Sequence, residues 1–377
     1  MDRAFYTQLA IDSIAGQTIP LETVQRLLSS ETEFLALLDA AFEVRKKFFG
    51  RKVHVHIINN AQNGYCPEDC HYCAQAKSSS SEIKEYPIKS DTEILAEAKQ
   101  AYESGAFRYC MVFAGRGPSQ KRVEHLSQLI RKIKSNYPIQ VCVSAGLLDE
   151  EKAQILKVAG LDRLNHNLNT SRAHYPEICT THTYDERLNT LQAAKKAGLE
   201  VCSGMIIGMG ETSDDVLEVA YTLRKLQAPS IPVNFYIPIP GTKVKEPSPL
   251  APEYCLRILC VFRLLNPRAE IRVAAGRELH LRDMEVMALY PANSLFLDGY
   301  LNAKGSTRLK TLQMIKDAGF TLDSEFGVDE LLKNETPAPQ TAVSDFSKIA
   351  LKGLEELRPQ LLGVAPTVKN SENNAKY

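Results

Sequence analysis

Beginning near residue 53, short runs rich in β-branched apolar residues alternate with longer amphipathic stretches, and the pair recurs eight times. The candidate strands are VHVHIIN (53–59), RYCMVFAG (108–115), IQVCVSAG (139–146), DRLNHNLN (162–169), EVCSGMIIG (200–208), SIPVNFYIP (230–238), EIRVAAG (270–276) and SLFLDGYL (294–301). Between them lie stretches such as DTEILAEAKQAYESG and YDERLNTLQAAKKAG, whose apolar residues recur at the i, i+3, i+4 spacing of a half-buried helix. Gly105, Gly160, Gly198 and Gly319 stand where such helices should stop, since glycine accepts the left-handed conformation that ends a helix. Asp91 with Thr92 reads as the start of the helix that Gly105 closes. Strands joined by returning helices pair in parallel, so eight units predict an α/β fold of the (β/α)8 TIM-barrel type. An open doubly wound sheet is the competing arrangement.

Three segments follow from this. Residues 1–45 read as helices capping the bottom of the barrel, 46–330 as the barrel, and 331–377 as a C-terminal extension. Within the extension, the Pro-rich NETPAPQTAVSD reads as a linker, DFSKIALKGLEELRPQLLG as a docking helix, and VKNSENNAKY as a disordered end. The 45 basic and 45 acidic residues cancel, which gives no bulk field for nucleic acid or an anionic membrane. No apolar run reaches the ~18 residues of a membrane helix, and MDRAFYTQLAIDSIAGQTIP, with Asp2 and Asp12, lacks a signal-peptide layout. A cytoplasmic location is the expectation. Nine cysteines in 377 residues are too few for a disulfide scaffold, so clustered ones suggest metal or redox chemistry.

Cys66, Cys70 and Cys73, spaced C-x3-C-x2-C, follow the first strand at the end of a barrel where active sites lie. Three thiolates suit an iron–sulfur cluster with one open iron. Zinc would need His71 or a distant residue as its fourth ligand, and unliganded thiols are the bland alternative. A second set, Cys110, Cys142 and Cys202, falls inside predicted strands, with Arg272 at a comparable place in a later one. A single buried cysteine is ordinary core, but an inward arginine needs a counter-charge, which an anionic cluster would supply. Strand alternation would put Asn165, Asn167 and Asn169 on one face and His166 on the other, and Asn234 lies on the sixth strand. Inward amides fill a core poorly and hold a polar ligand well. GMIIGMGET, with Glu211, is a weak glycine motif. Cys179, Cys255, Cys260, His54, His56 and His166 read as structural, and SSSS (78–81) as a flexible loop.

The stretch GYCPEDCHYCAQ resembles the radical S-adenosylmethionine (SAM) cluster loop of biotin synthases. So, in order, do YCMVFAGRGPS, NHNLNTS, THTYDERLNT, CSGMIIGMGET, IPVNF and RVAAGRE, over about residues 45–325. The resemblance implies that Cys66, Cys70 and Cys73 hold a 4Fe–4S cluster whose open iron chelates SAM. Tyr72 would lie near the adenine, Arg187 would meet the SAM carboxylate, and Asn167 and Asn169 would contact SAM or substrate. Cys110, Cys142, Cys202 and Arg272 match the ligands of a 2Fe–2S cluster. Asn165, Asn167 and Asn234 match positions around the dethiobiotin ureido ring.

The implied chemistry is reductive cleavage of SAM to a 5′-deoxyadenosyl radical, hydrogen abstraction from dethiobiotin, and sulfur transfer from the second cluster to give biotin. An electron donor such as flavodoxin or ferredoxin and a homodimer are implied with it. Four positions depart from the family pattern: Gln62 for the usual Lys, Leu164 for Tyr, and Asn302 with Ala303 for two threonines. Asn169 also stands where many members carry Asp. The departures motivate a second reading, a paralogue acting on a different small molecule.

Overall fold

The computed structural model describes residues 1–245, 247, 250–335 and 349–361. Its strands are β1 (Lys52–Gln62), β2 (Arg108–Phe113), β3 (Gln140–Ser144), β4 (Arg163–Asn165), β5 (Glu200–Cys202), β6 (Met205–Ile207), β7 (Ser230–Phe235), β8 (Glu270–Val273), β9 (Ser294–Phe296) and β10 (Thr321–Leu322). Every pairing between them is parallel, and β1 pairs with both β2 and β9, which closes the sheet. β5 and β6 are two halves of one stave, since Cys202 and Met205 pair with Ser230 and Val233 of β7. The result is the eight-stave barrel expected, with the short β10 added beside the start of β1.

The staves are shorter than the hydrophobic runs suggested. β4 stops at Asn165, and the fifth run breaks at Ser203–Gly204. Both departures have one cause. A Cβ on Gly204 would lie 1.8 Å from Pro232 O, so the backbones of two staves touch there. The Gly204 N–H is turned toward Asn167 Oδ1 (3.1 Å), and its carbonyl accepts from Asn169 N (3.0 Å). The ladder is exchanged for an irregular crossing. Gly204→Ala is therefore expected to destabilise by about 3 kcal/mol or more, because backbone cannot yield as a side chain can. Thermal unfolding of the variant checks this, and an unchanged melting temperature would contradict it.

Alternation along each stave sorts the side chains. Tyr109 and Met111, on either side of Cys110, and Val141 and Val143, on either side of Cys142, are fully buried against the helical layer. Burying one such aliphatic side chain is worth roughly 2 kcal/mol. Register then aligns the opposite set: Cys110 faces Cys142, Asn165 faces Cys202, and Arg272 faces Pro232 and Ser294.

The glycines predicted to end helices do so in left-handed geometry, as at Gly105 (φ 73°) and Gly198 (φ 74°). The helix Asp91–Glu103 begins at Asp91, as expected. Ser90 is its cap, because the Ser90 hydroxyl accepts from Glu93 N while Glu93 Oε2 accepts from Ser90 N (3.0 Å). Asp91 instead meets His125 Nε2 (2.6 Å).

Helices Arg3–Ile14, Leu21–Leu28 and Phe34–Phe49 pack on one another and on the outer helices Ser213–Lys225 and Pro252–Leu265. Arg45 ties them on, donating to Ala292 O (3.2 Å) just before β9 and to Lys52 O (2.8 Å) at the start of β1. At the other end, residues 349–361 dock on the loop after β9. Lys304 N donates to Ala350 O (2.9 Å), and Lys352 N donates to Asn302 O (2.8 Å). Of the anticipated docking helix, 345–363, residues 345–348 and 362–363 lie outside the described residues, and among the described ones a single turn, Leu354–Leu357, is formed. Most of the linker, residues 336–345, and the polar end VKNSENNAKY also lie outside the described residues.

Arg358 clamps this docked segment to Glu93 through two hydrogen bonds of 2.9 and 2.8 Å. Burial pushes the Glu93 carboxyl upward, but donors from Arg358 and Ser90 outweigh it and hold the group at about 2. A carboxyl depressed on folding contributes stability above its ordinary value and loses it as pH falls through the folded one. The clamp should therefore be intact at neutral pH and weaken as pH falls from about 4.5 toward 2. Hydrogen exchange of residues 350–358 against pH measures it, and protection that does not change across that window would sink the prediction.

Candidate functional site

The end of β1 carries the three-cysteine loop. Asn63 and Tyr86 exchange backbone hydrogen bonds of 3.2 and 2.9 Å, and Gly64 (φ 82°) and Tyr65 (φ 56°) then turn the chain sharply into Cys66. Two tight turns follow, Cys73 N to Cys70 O (3.0 Å) and Ala76 N to Cys73 O (3.1 Å), and all three cysteines border one cavity of about 380 Å³. The loop is anchored from outside. Asp69 accepts from Thr180 N (3.0 Å) and Thr181 N (3.2 Å), while Glu68 accepts from the Thr181 hydroxyl (2.7 Å). The serine run is held too, since Ser81 Oγ donates to Pro240 O (2.7 Å) and Ser80 N to Gly241 O (3.1 Å). It is a fastened turn rather than the free loop expected.

Burial pushes the Cys66 and Cys73 thiols up, Cys73 to about 11. Cys70 is pushed up by its bond to Cys179 and by burial. A metal must therefore displace protons here, as thiol ligands require. Cys179, which nothing in its spacing marked, lies 3.7 Å from Cys70 Sγ and 3.3 Å from His182 Nδ1. The bond from Cys70 brings Cys179 down to about 4. Cys70, Cys179 and His182 are thus within reach of a common metal ion. Both imidazole nitrogens of His182 are already engaged, Nδ1 by Glu68 and Nε2 by Arg187 (2.8 Å). His71, the nearby zinc-ligand candidate, does not border the cavity.

Cys110, Cys142 and Arg272 border the same cavity farther along the barrel axis, and Cys202 sits against it, within 3.2 Å of Asn165 Nδ2 and 3.7 Å of Arg272 Nη1. The four expected residues are thus brought together. All nine cysteines are free thiols.

Beneath this second set lies a charge cluster that the sequence did not reveal. Glu270 accepts from Arg108 Nη1 (3.0 Å), Arg163 Nη1 (3.2 Å) and Arg272 Nη2, and meets His56 Nε2 (3.1 Å). Burial and then the Arg272 charge depress His56 to about 4, so it is neutral. It donates from Nε2 to Glu270 and turns Nδ1 toward Cys110 Sγ (4.0 Å). Burial works against the Arg272 charge, but Cys202 and Glu270 outweigh it. Three guanidiniums here face two carboxylates, Glu270 and the Glu200 partner of Arg163. One positive charge remains beneath three thiols, which fits an anionic thiolate-bound cluster.

The middle of the cavity is polar. Asn165, Asn167 and Asn169 all border it. The alternation argument fails past Asn165 because the strand ends, and His166 borders the cavity as well. His166 Nε2 is buried without a partner among the described residues. Asn169 is left-handed (φ 72°) and donates to the Tyr72 hydroxyl, and Arg187 donates to Asn167 O (2.8 Å) and to the Tyr175 hydroxyl. Asn234 spans two staves, giving a hydrogen bond to Met205 O (3.1 Å) and taking one from Ala275 N (3.2 Å). Glu211 is spent on its own loop, accepting from Gly208 N (2.7 Å) and Met209 N (2.8 Å). Of the four departures, Asn302 and Ala303 border the cavity, and Asn302 pairs side chain to side chain with Asn63 (2.8 and 3.0 Å). Leu164 is buried in β4 away from the cavity and Gln62 stands off it, so neither lines the pocket.

Comparison with known proteins is consistent over most of the chain. Residues 63–223 match the Radical SAM superfamily, and residues 232–321 match the Biotin and Thiamin Synthesis associated domain. The chain is 58% identical to a biotin synthase of Magnetococcus marinus over 316 residues, covering 84% of this chain and 98% of that one. It is 54% identical to a biotin synthase of Acaryochloris marina, over 83% and 90% of the two chains. Among solved structures, methylornithine synthase superposes with a TM-score of 0.70 at 20% identity, over 83% of this chain and 96% of that one. The FeFe-hydrogenase maturase HydG from Carboxydothermus hydrogenoformans superposes with a TM-score of 0.72 at 18% identity, over 87% and 81%. These last two share the fold.

Proposed function

The chain belongs to the biotin synthase family, and from that premise we propose an assignment of its cavity to the parts of one reaction. The reaction is SAM-dependent insertion of sulfur into dethiobiotin to give biotin. In it the 4Fe–4S cluster supplies the electron that cleaves SAM, and the 2Fe–2S cluster supplies the sulfur. Cys66, Cys70 and Cys73 hold the first cluster. Cys110, Cys142, Cys202 and Arg272 hold the second. Arg187 meets the SAM carboxylate, Tyr72, tied to Asn169, lies near the adenine, and Asn165, Asn167 and Asn234 present amides to the ureido group of dethiobiotin. The barrel domain, 46–330, carries all of these residues, and its closed wall keeps water from a radical that would otherwise be quenched.

A single observation carries the assignment. Cys66, Cys70 and Cys73 border the same cavity as Cys110 and Cys142, with Cys202 against its wall, asparagine amides in its lining and an excess of positive charge beside the second set. Cytoplasmic location, a flavodoxin- or ferredoxin-type electron donor and a homodimer belong to the same proposal. Among the described residues no helix is long and apolar enough to cross a membrane. The test is anaerobic incubation of the reconstituted protein with SAM, reductant and dethiobiotin, with mass spectrometry for biotin and 5′-deoxyadenosine. Both products are expected. Deoxyadenosine without biotin would point instead to a paralogue with another substrate, which the Asn302–Ala303 change at the cavity wall would serve.

A further inference from the structure

Glu270 opens β8, two residues before Arg272, and its carboxylate lies under the second cysteine set. The guanidinium of Arg272 is held on all sides but one. Nε donates to Ser294 Oγ (3.1 Å), and Nη2 donates to Ser230 Oγ (3.1 Å) and to Glu270 Oε1. Ser230 Oγ in turn donates to the same carboxylate oxygen (3.1 Å). Only Nη1 is left facing into the cavity, toward Cys202 Sγ at 3.7 Å. Arginine has a long, rotatable stem, and an unrestrained one would turn its donors toward any nearby oxygen.

We propose that Glu270 is a positioning residue for the second cluster: it fixes the Arg272 guanidinium so that Nη1 alone is presented to the metal. The other oxygen of Glu270 is braced by Arg108 Nη1 (3.0 Å) and Arg163 Nη1 (3.2 Å), so β2 and β4 are tied to β8 at this carboxylate. The bracing keeps Glu270 from following Arg272 if the arginine moves. His54 Nδ1 (3.4 Å) and His56 Nε2 (3.1 Å) complete its surroundings. Partners of metal ligands commonly matter to metal affinity by ~10–100-fold. The inference rests on the assignment of Arg272 to the second cluster, and the experiment separates the two.

Full-length protein is reconstituted anaerobically as wild type, Glu270→Gln, Arg272→Met and the double variant. Visible and Mössbauer spectra, with iron and sulfide analysis, quantify each cluster. Glu270→Gln should retain the four-iron content and SAM binding, which show that the barrel is intact, while holding the two-iron cluster about 10-fold or more weakly, or with an altered spectrum. In the Arg272→Met background the same change should add nothing, because the route through Arg272 is gone. An unaltered two-iron spectrum in Glu270→Gln, beside an altered one in Arg272→Met, overturns the inference. So does an effect of equal size in both backgrounds, which would make Glu270 a general support of the barrel floor. An unaltered spectrum in Arg272→Met instead removes the ligand assignment beneath it. Should Glu270→Gln fail to fold, Ser230→Ala, which removes the hydroxyl shared by Glu270 and Arg272, carries the same comparison.

Discussion

Cleavage of SAM falls to background in Cys66→Ala, with no 5′-deoxyadenosine above that of reductant alone, while the barrel still folds. Cys66 directly follows the left-handed pair Gly64–Tyr65, so its position is dictated by the turn and not by packing. It is half-buried, and truncating it removes little apolar contact. The loss is therefore chemical rather than structural. Cys66 is a cleaner target than Cys70, whose sulfur has Cys179 Sγ only 3.7 Å away as a stand-in. The matched control is Cys179→Ala, which should keep a four-iron cluster and SAM cleavage. If Cys66→Ala still makes deoxyadenosine, or if Cys179→Ala loses it, the ligand assignment of the loop is wrong.

Cys142→Ala separates the two halves of the reaction. Deoxyadenosine is still formed, the four-iron signal persists, and biotin is absent. Cys142 sits in the middle of β3, paired in register with Cys110 on one side and Arg163 on the other, and is almost wholly buried. The neighbours that face the helical layer, Val141 and Val143, are untouched by the change. The deletion takes one sulfur from the cavity wall, a smaller loss than the ~2–5 kcal/mol of a large aliphatic truncation. Iron and sulfide analysis should show loss confined to the two-iron component. Disappearance of both clusters together would mean that the two sets are not independent sites.

The barrel was legible because its information is local. Each strand–helix unit carries its own periodicity and its own stop, as at Gly105 and Gly198, and needs no distant partner to be recognised. The candidate ligand cysteines stood out for a related reason: Cys66, Cys70 and Cys73 are spaced as a set, while Cys110, Cys142 and Cys202 fall within strands. What escaped depends on closure of the barrel. Glu270 looks like any polar residue at a strand start until β1, β2, β4 and β8 bring His56, Arg108, Arg163 and Arg272 onto it. Cys179 is 109 residues from Cys70 and meets it only because the Thr180–His182 turn docks on Glu68 and Asp69. The strand alternation that placed the three asparagines on one face misassigned His166. The ladder ends at Asn165, where Asn167 turns to serve Gly204 instead.

The depth of the cavity has a kinetic consequence. Its inner end is plugged by the Glu270 cluster, and the three-cysteine loop stands at the outer end. A passage with one door is a queue. On the proposed assignment SAM would bind across the doorway, so whatever occupies the deep position would arrive first and leave last. Dethiobiotin offered before SAM should therefore bind faster than dethiobiotin offered after it, and biotin should depart only once methionine and deoxyadenosine have gone. Order-of-addition kinetics decide the matter, and equal rates in either order would mean a second way in.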